Sequence, residues 1–236
     1  MTVRRRANAN SESVDNYLKA ILSLGGAEES RVTSNALAQR LGVAAASVTN
    51  MLQKLAAGSP ALVKYERHRG VQLSAAGKTR ALEVVRHHRL IETFLYEVLD
   101  YRIDEVHDEA ERLEHFISER FEERIAAKLG HPKIDPHGHG IPALDGAMPR
   151  QNSVPLTEVA GEGVYVVGSV SDLDAGVLKS LKLSGVAAGV RLRMRGMRDA
   201  KGKDEYAVSV GRSAKVLHLS RKAAEAIRVQ AVEGRE

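Results

Sequence analysis

Residues 88–115 read HRLIETFLYEVLDYRIDEVHDEAERLEH, and the rest of the chain is arranged around them. His88 and Glu92 stand four apart, and His107, Glu111, Glu114 and His115 follow at spacings of four, three and one. On α-helices those spacings put side chains on a common face. Two groups of imidazole and carboxylate result, His88/Glu92/His107 and Glu111/Glu114/His115, and neither contains a thiolate. Such nitrogen and oxygen donors suit Mn²⁺, Fe²⁺, Co²⁺ or Zn²⁺, and the absence of sulfur removes one preference for softer ions. The plain alternative is a pair of solvated polar helix faces, since glutamate is common on helix surfaces. Six potential ligands crowded into one stretch favour a metal centre instead.

Composition sets the bounds. A chain of 236 residues makes one large domain or two to three small ones. Thirty-five basic against 30 acidic residues give a net charge of +5, which permits nucleic acid as a partner without requiring it. With no cysteine there is no disulfide framework, no thiolate metal site and no cysteine nucleophile. No apolar run approaches the ~20 residues of a membrane span, and MTVRRRANANSES lacks the apolar core of a signal peptide. A soluble, cytoplasmic protein without a membrane partner is expected. Arg4, Arg5 and Arg6 have the chemistry to touch phosphate, but a frayed terminus explains them as well.

N-terminal to the opening stretch, residues 12–24 place Val14, Tyr17, Leu18, Ile21 and Leu24 at a helical period, with Ser11 or Ser13 as cap and Gly25-Gly26 as the stop. Thr33 then precedes SNALAQRLG, where Ala36, Leu37 and Leu41 share a face. After Gly42-Val43-Ala44 comes AASVTNMLQKLA, with Val48, Met51, Leu52 and Leu55 on the buried side. Two short helices around a tight glycine-containing turn make a helix-turn-helix pattern. Its second helix turns Ser47, Thr49, Asn50 and Lys54 outward, groups that contact base edges and phosphates in a major groove. An ordinary helical hairpin would share this pattern, but ALVKYERHRGVQLS follows as strand, basic turn and strand. That is a wing, with Arg67 and Arg69 at its tip facing phosphate.

Ser74 caps a helix over 75–98, and Asp104 starts another running to about 129. Both exceed what a winged helix needs and suit a dimer interface. Between Gly130 and Pro155 lie five of the six prolines, which mark an irregular boundary segment. His131, His137 and His139 fall in it and are read as loop residues packed on the helical body rather than as ligands. From about 157 the period drops to two: GVYVVGSV, VRLRMRG, EYAVSV and KVLHLS are strand-like. DAGVLKSLKL is a helix between the first two, and SRKAAEAIRV closes the chain as another. These roughly eighty residues suggest a small barrel on an SH3-like plan. The expected fold is therefore mainly α. Residues 1–74 form a winged helix-turn-helix domain, 75–150 a helical dimerisation and metal-binding domain, and 151–236 an SH3-like β-barrel.

In this order the three parts resemble the diphtheria-toxin-repressor family of metal-dependent transcriptional repressors, including its manganese-transport-regulator branch. The resemblance covers nearly the whole chain. Its most specific part is HRLIE…VHDEAERLEH, which follows the family pattern H-x-x-x-E and then V-H-D-E-A-[CE]-x-x-E-H. YLKAI, SVTNMLQKL and PHGHGIP also match. By position, the resemblance implies an ancillary metal site of His88, Glu92 and His107 and a primary, regulatory site of Glu111, Glu114 and His115. The iron-responsive branch has Cys where this chain has Glu111 and the manganese branch has Glu, so Mn²⁺ is favoured over Fe²⁺.

Two departures from the family matter. The first-helix ligand, Met or Asp in the family, falls at Asn16, so either Asn16 or the neighbouring Asp15 completes the primary site. The manganese branch has Glu where this chain has Lys19, which argues against a two-metal cluster of that branch's kind. In three-domain members the barrel lends Glu and Gln to the ancillary site. Those positions fall at Asp174 and Val177, leaving Asp174 as the one donor.

The implied function is a Mn²⁺- or Fe²⁺-dependent repressor that binds double-stranded operator DNA as a homodimer and controls metal-uptake genes. A winged-helix repressor sensing a small organic ligand is one rival, separated by a metal titration. A di-metal enzyme is another, but nothing supplies a nucleophile, a phosphate loop or a second acid-base pair.

Overall fold

Val14, Tyr17, Leu18 and Ile21 recur at the helical period and form the buried stripe of α1 (Thr2–Gly25), while Leu24 stays exposed. The computed structural model describes residues 2–26, 29–159, 161–199 and 204–232. The side chains of 2–10, 198, 199 and 204 lie outside that description, and with them the phosphate reading of Arg4, Arg5 and Arg6. The chain gathers into two units. The first comprises Met1–His88, Glu111–Glu122 and Pro142–Ala147, and the second Arg89–Ala110, Glu123–Ile141 and Met148–Glu236.

In the first unit, Thr33 caps α2 (Ser34–Leu41) by accepting the Ala36 amide at 3.1 Å. Gly42 closes the helix in the left-handed region, at φ 65°. α3 (Ala45–Ala57) buries Val48, Leu52 and Leu55. β1 (Val63–Glu66) and β2 (Gly70–Leu73) pair antiparallel, with Val63 opposite Leu73 and Glu66 opposite Gly70. Val32 adds two main-chain bonds of 2.9 Å to Val71. Leu18, Leu37, Leu52 and Val71 are wholly buried in one core, each contributing roughly 2 kcal/mol. Gly77 lets the first turn of α4 (Ala75–Val98) sit against the hairpin, since a Cβ there would lie 1.9 Å from the Leu62 carbonyl oxygen. Ser74 caps that turn through the Gly77 amide at 3.0 Å.

The single helix expected from 104 to 129 is two, α5 (Val106–Leu113) and α6 (Glu119–Lys128). The break is local chemistry: Ser118 accepts the Phe121 amide through both its hydroxyl, at 3.3 Å, and its carbonyl, at 2.8 Å. A side chain that competes for backbone donors in this way starts a new helix. α4, α5 and α6 each pass from one unit to the other along their length.

The second unit holds a small core of Leu90, Ile125, Ala126 and Ile141. It also holds β3 (Val154–Pro155), β4 (Gly163–Val170), α7 (Ala175–Leu183), β5 (Arg191–Asp199), β6 (Asp204–Val210), β7 (Val216–Ser220), α8 (Arg221–Glu225) and β8 (Ile227–Ala231). The strands form one antiparallel sheet in the order β3-β8-β4-β5-β6-β7. In β5, Leu192 and Met194 are buried while Arg191, Arg193 and Arg195 face outward, as the period of two requires. The expected closed barrel is not formed among the described residues: β3 and β7 are the two ends of the sheet and do not pair. Leu178 and Leu181 of α7 and Ala224 of α8 fill the core on the sheet's inner face. The closing helix expected from SRKAAEAIRV stops after five residues. Ile227 and Val229 are buried and alternate with exposed Arg228 and Gln230, so the rest of that stretch is a strand. Among the described residues no helix is long and apolar enough to cross a membrane.

Candidate metal centres and nucleic-acid interface

In the first unit, α1 presents Asp15, Asn16 and Lys19, and α4 presents His88. Glu111 stands on the last turn of α5, and Glu114 and His115 lie in the break after it. The break turns Glu114 inward, where its side chain is fully buried. Its Oε2 meets His88 Nδ1 at 2.6 Å, and its Oε1 lies 2.7 Å from Lys19 Nζ and 3.3 Å from His115 Nε2. Lys19 Nζ also donates to Glu111 Oε1 at 2.6 Å. A buried carboxylate needs a cation or donors to replace water, and here Lys19 and His88 provide them.

His115 Nδ1 is 3.5 Å from Asp15 Oδ2, and Arg80 Nε donates to Asp15 Oδ1 at 2.6 Å. Burial works to raise the Asp15 carboxyl, but His115 and Arg80 outweigh it and hold it below its ordinary value. Asn16 Oδ1 and both His115 ring nitrogens are buried without a hydrogen-bond partner. An imidazole and two carboxylates brought together here, with a neutral buried oxygen on α1 one helical turn from Lys19, fit a divalent cation. Of the two candidates on α1, Asp15 is occupied by Arg80 and Asn16 keeps its oxygen unpaired.

In the second unit, Glu92 of α4 is wholly buried. Its Oε1 lies 3.3 Å from His107 Nδ1 and its Oε2 3.6 Å from His137 Nδ1. Asp172 Oδ2 stands 3.4 Å from the same His107 nitrogen and 3.9 Å from His139 Nδ1. Burial acts to lower the His107 pKa, but Asp172 and Glu92 outweigh it and push it up to about 10. Asp172 itself is held low despite burial, chiefly by its hydrogen bond with His107. Asp174, the expected donor, is not in this cluster. It caps α7 through the Val177 amide at 2.9 Å and pairs with Lys222 at 2.5 Å. Asp172, two residues earlier, is the carboxylate beside His107.

The segment expected to be a loop without a common face brings two of its three histidines, His137 and His139, together. Asp135 Oδ1 accepts the amides of His137 at 2.8 Å and His139 at 2.9 Å. Gly138 between them adopts φ 91°, where a Cβ would lie 2.2 Å from the Gly168 carbonyl oxygen. Asp135, His137 and His139 each offer a donor atom, all within 4.8 Å of one another. The signal for them was the D-x-H-x-H spacing, in which an aspartate can tie the two following amides.

Of the expected DNA contacts, Ser47, Asn50 and Lys54 are exposed along α3. Thr49 is half-buried and its hydroxyl donates to the Ala45 carbonyl at 3.1 Å, so it is committed to its own helix. Arg67, His68 and Arg69 are exposed at the tip of the hairpin, and Arg69 pairs with Glu66 at 2.9 Å.

Residues 10–71 match the family model of the iron dependent repressor N-terminal DNA binding domain. Residues 74–143 match that of the iron dependent repressor metal binding and dimerisation domain. The iron-dependent repressor IdeR of Mycobacterium tuberculosis is 33% identical over 197 residues, 77% of this chain and 83% of that protein. The diphtheria toxin repressor of Corynebacterium glutamicum is 26% identical over 235 residues, covering 94% and 98%. Among solved structures, a manganese-dependent transcriptional repressor in complex with manganese superposes with a TM-score of 0.83 at 38% identity, covering 93% of this chain and all of that one. ScaR with bound Zn²⁺ gives 0.80 at 31% identity, with 93% and 99% covered. A winged reading head and clustered imidazole and carboxylate donors agree with these matches: the chain belongs to the iron-dependent repressor family of metal-dependent transcriptional repressors, which are not enzymes.

Proposed function

We propose that this repressor binds double-stranded operator DNA as a homodimer when Mn²⁺, or alternatively Fe²⁺, loads the first cluster, and that it controls metal-uptake genes in the cytoplasm. The observation that carries the reading is the buried Asn16 oxygen on α1, without a hydrogen-bond partner and one helical turn from the Lys19 that binds Glu111 and Glu114. When bound, a divalent cation supplies positive charge and fixed coordination directions. Asn16, Glu111, Glu114 and His115 are the residues that would hold it, and they join α1 to the segment following α5 within one unit. Because α1 packs in the core that also seats α2 and α3, fixing Asn16 fixes the reading head. Glu92, His107 and Asp172, with Asp135, His137 and His139, form the second centre within the other unit. Oxygen and nitrogen donors without sulfur at both centres favour Mn²⁺ over softer ions.

Ser47, Asn50 and Lys54 read bases and phosphate, and Arg67 and Arg69 brace the backbone. Exposed Leu113, Phe116 and Phe121 supply apolar surface for the dimer, in which the two α3 helices would sit about one DNA turn, ~34 Å, apart. We divide the chain functionally at 1–74, 75–150 and 151–236, and we keep an SH3-like plan, opened at one edge, for the last part. The test is fluorescence anisotropy of inverted-repeat DNA with the full chain in Mn²⁺, in Fe²⁺ and in chelator. Strong binding only with metal is expected, and equal binding in chelator overturns the reading.

A further inference from the structure

The first cluster already contains a cation. Lys19 Nζ lies 2.6 Å from Glu111 Oε1 and 2.7 Å from Glu114 Oε1, on a side chain only 18% exposed. Two carboxylates thus share one ammonium, while Asp15 and Arg80 offset each other. A divalent ion on the same carboxylates would neutralise both and leave the ammonium in surplus beside it. Like charges at such range, poorly screened by water, oppose each other strongly. Lys19 also satisfies only the two glutamates, because Asn16 Oδ1 and the His115 nitrogens remain without hydrogen-bond partners.

Resting on the metal-dependent reading above, we propose that Lys19 is a resident counter-cation that competes with the divalent ion for Glu111 and Glu114 and so sets the metal concentration at which this cluster loads. In the metal-free chain Lys19 draws the two carboxylates together. On loading it must give them up and swing toward solvent. A merely structural salt bridge would behave in the opposite way: its removal would loosen the carboxylates and weaken metal binding.

The experiment is calorimetric titration of the full chain with Mn²⁺, using His107→Ala throughout to disable the second cluster. Lys19→Gln should lower the thermal midpoint of the metal-free protein yet bind Mn²⁺ about tenfold tighter. Lys19→Arg, which keeps the charge, should stay close to the parent. Unchanged or weaker Mn²⁺ binding by Lys19→Gln overturns the proposal and leaves Lys19 as a structural tether. Acylation of Lys19, followed by mass spectrometry on the parent chain, gives a readout that needs no variant. Its rate should rise on addition of Mn²⁺, and an unaltered rate overturns the proposal. If neither parent nor variants take up Mn²⁺, the metal-dependent reading falls and this one with it.

Discussion

Asn16 and His115 carry the burden of the first cluster, because theirs are buried donor atoms without a hydrogen-bond partner among the described residues. Replacing Asn16 by Asp adds a charge to an oxygen already buried without a hydrogen-bond partner. Asn16→Asp should therefore tighten Mn²⁺ about tenfold, measured by calorimetry, and weaker binding would assign the α1 donor to Asp15 instead. His115→Ala removes an imidazole whose side chain is 3% exposed and whose nitrogens face Asp15 and Glu114. It should abolish metal-activated DNA binding while leaving a folded dimer, checked by anisotropy and light scattering. His88 meets the cluster at Glu114 Oε2 from α4, outside the Asn16, Glu111, Glu114 and His115 set, so His88→Ala should raise the Mn²⁺ required without removing the response. A dead His88→Ala beside a normal His115→Ala would reverse these roles.

α3 and the β1-β2 hairpin divide the labour of DNA contact in a way their residue types foreshadow. Asn50 is exposed on α3 and can meet a base edge, whereas Arg69 stands at the hairpin tip, braced by Glu66. Asn50→Ala should narrow the gap between operator and random DNA by about 1–3 kcal/mol, and Arg69→Ala should weaken both alike. With Thr49 committed to Ala45, an unchanged ratio for Asn50→Ala would move base reading to Ser47. The turn carrying His137 and His139 depends on Gly138, where positive φ and the nearby Gly168 carbonyl both exclude a side chain. Gly138→Ala should cost about 2 kcal/mol or more of stability and weaken metal binding by the second cluster, seen by denaturant titration and calorimetry. A stable variant with normal metal uptake would show that the turn adapts.

For the chain as a whole, the +5 net charge and the basic hairpin tip predict a binding equilibrium governed by counterion release. Operator affinity in saturating Mn²⁺ should fall steeply between 50 and 200 mM salt, by about a hundredfold or more if several phosphates are neutralised per dimer. Anisotropy at four salt concentrations measures the slope, and a flat response would contradict phosphate contact by Lys54, Arg67 and Arg69.

Periodicity and spacing alone located α1 to α4, the hairpin and the four strands β4 to β7, because each depends on side chains a few residues apart and on local turn chemistry. The same locality brought Glu111, Glu114 and His115 into view as one group, since residues within five positions of one another stay close even where α5 ends at Leu113. Tertiary structure decided what depends on distant partners. The break at Ser118 turned Glu114 inward, the strand after α8 buried Ile227 and Val229, and the sheet ended at β3 and β7 without closing. It also set Asp172 rather than Asp174 beside His107, seated Lys19 between two glutamates and folded His137 and His139 onto Asp135. Those outcomes turn on which buried carboxylate finds which cation across 65 or more residues of chain for Asp172 and Lys19, and on one Asx turn for the histidines. A carboxylate's choice of partner is settled by desolvation in the folded core, which no local pattern records.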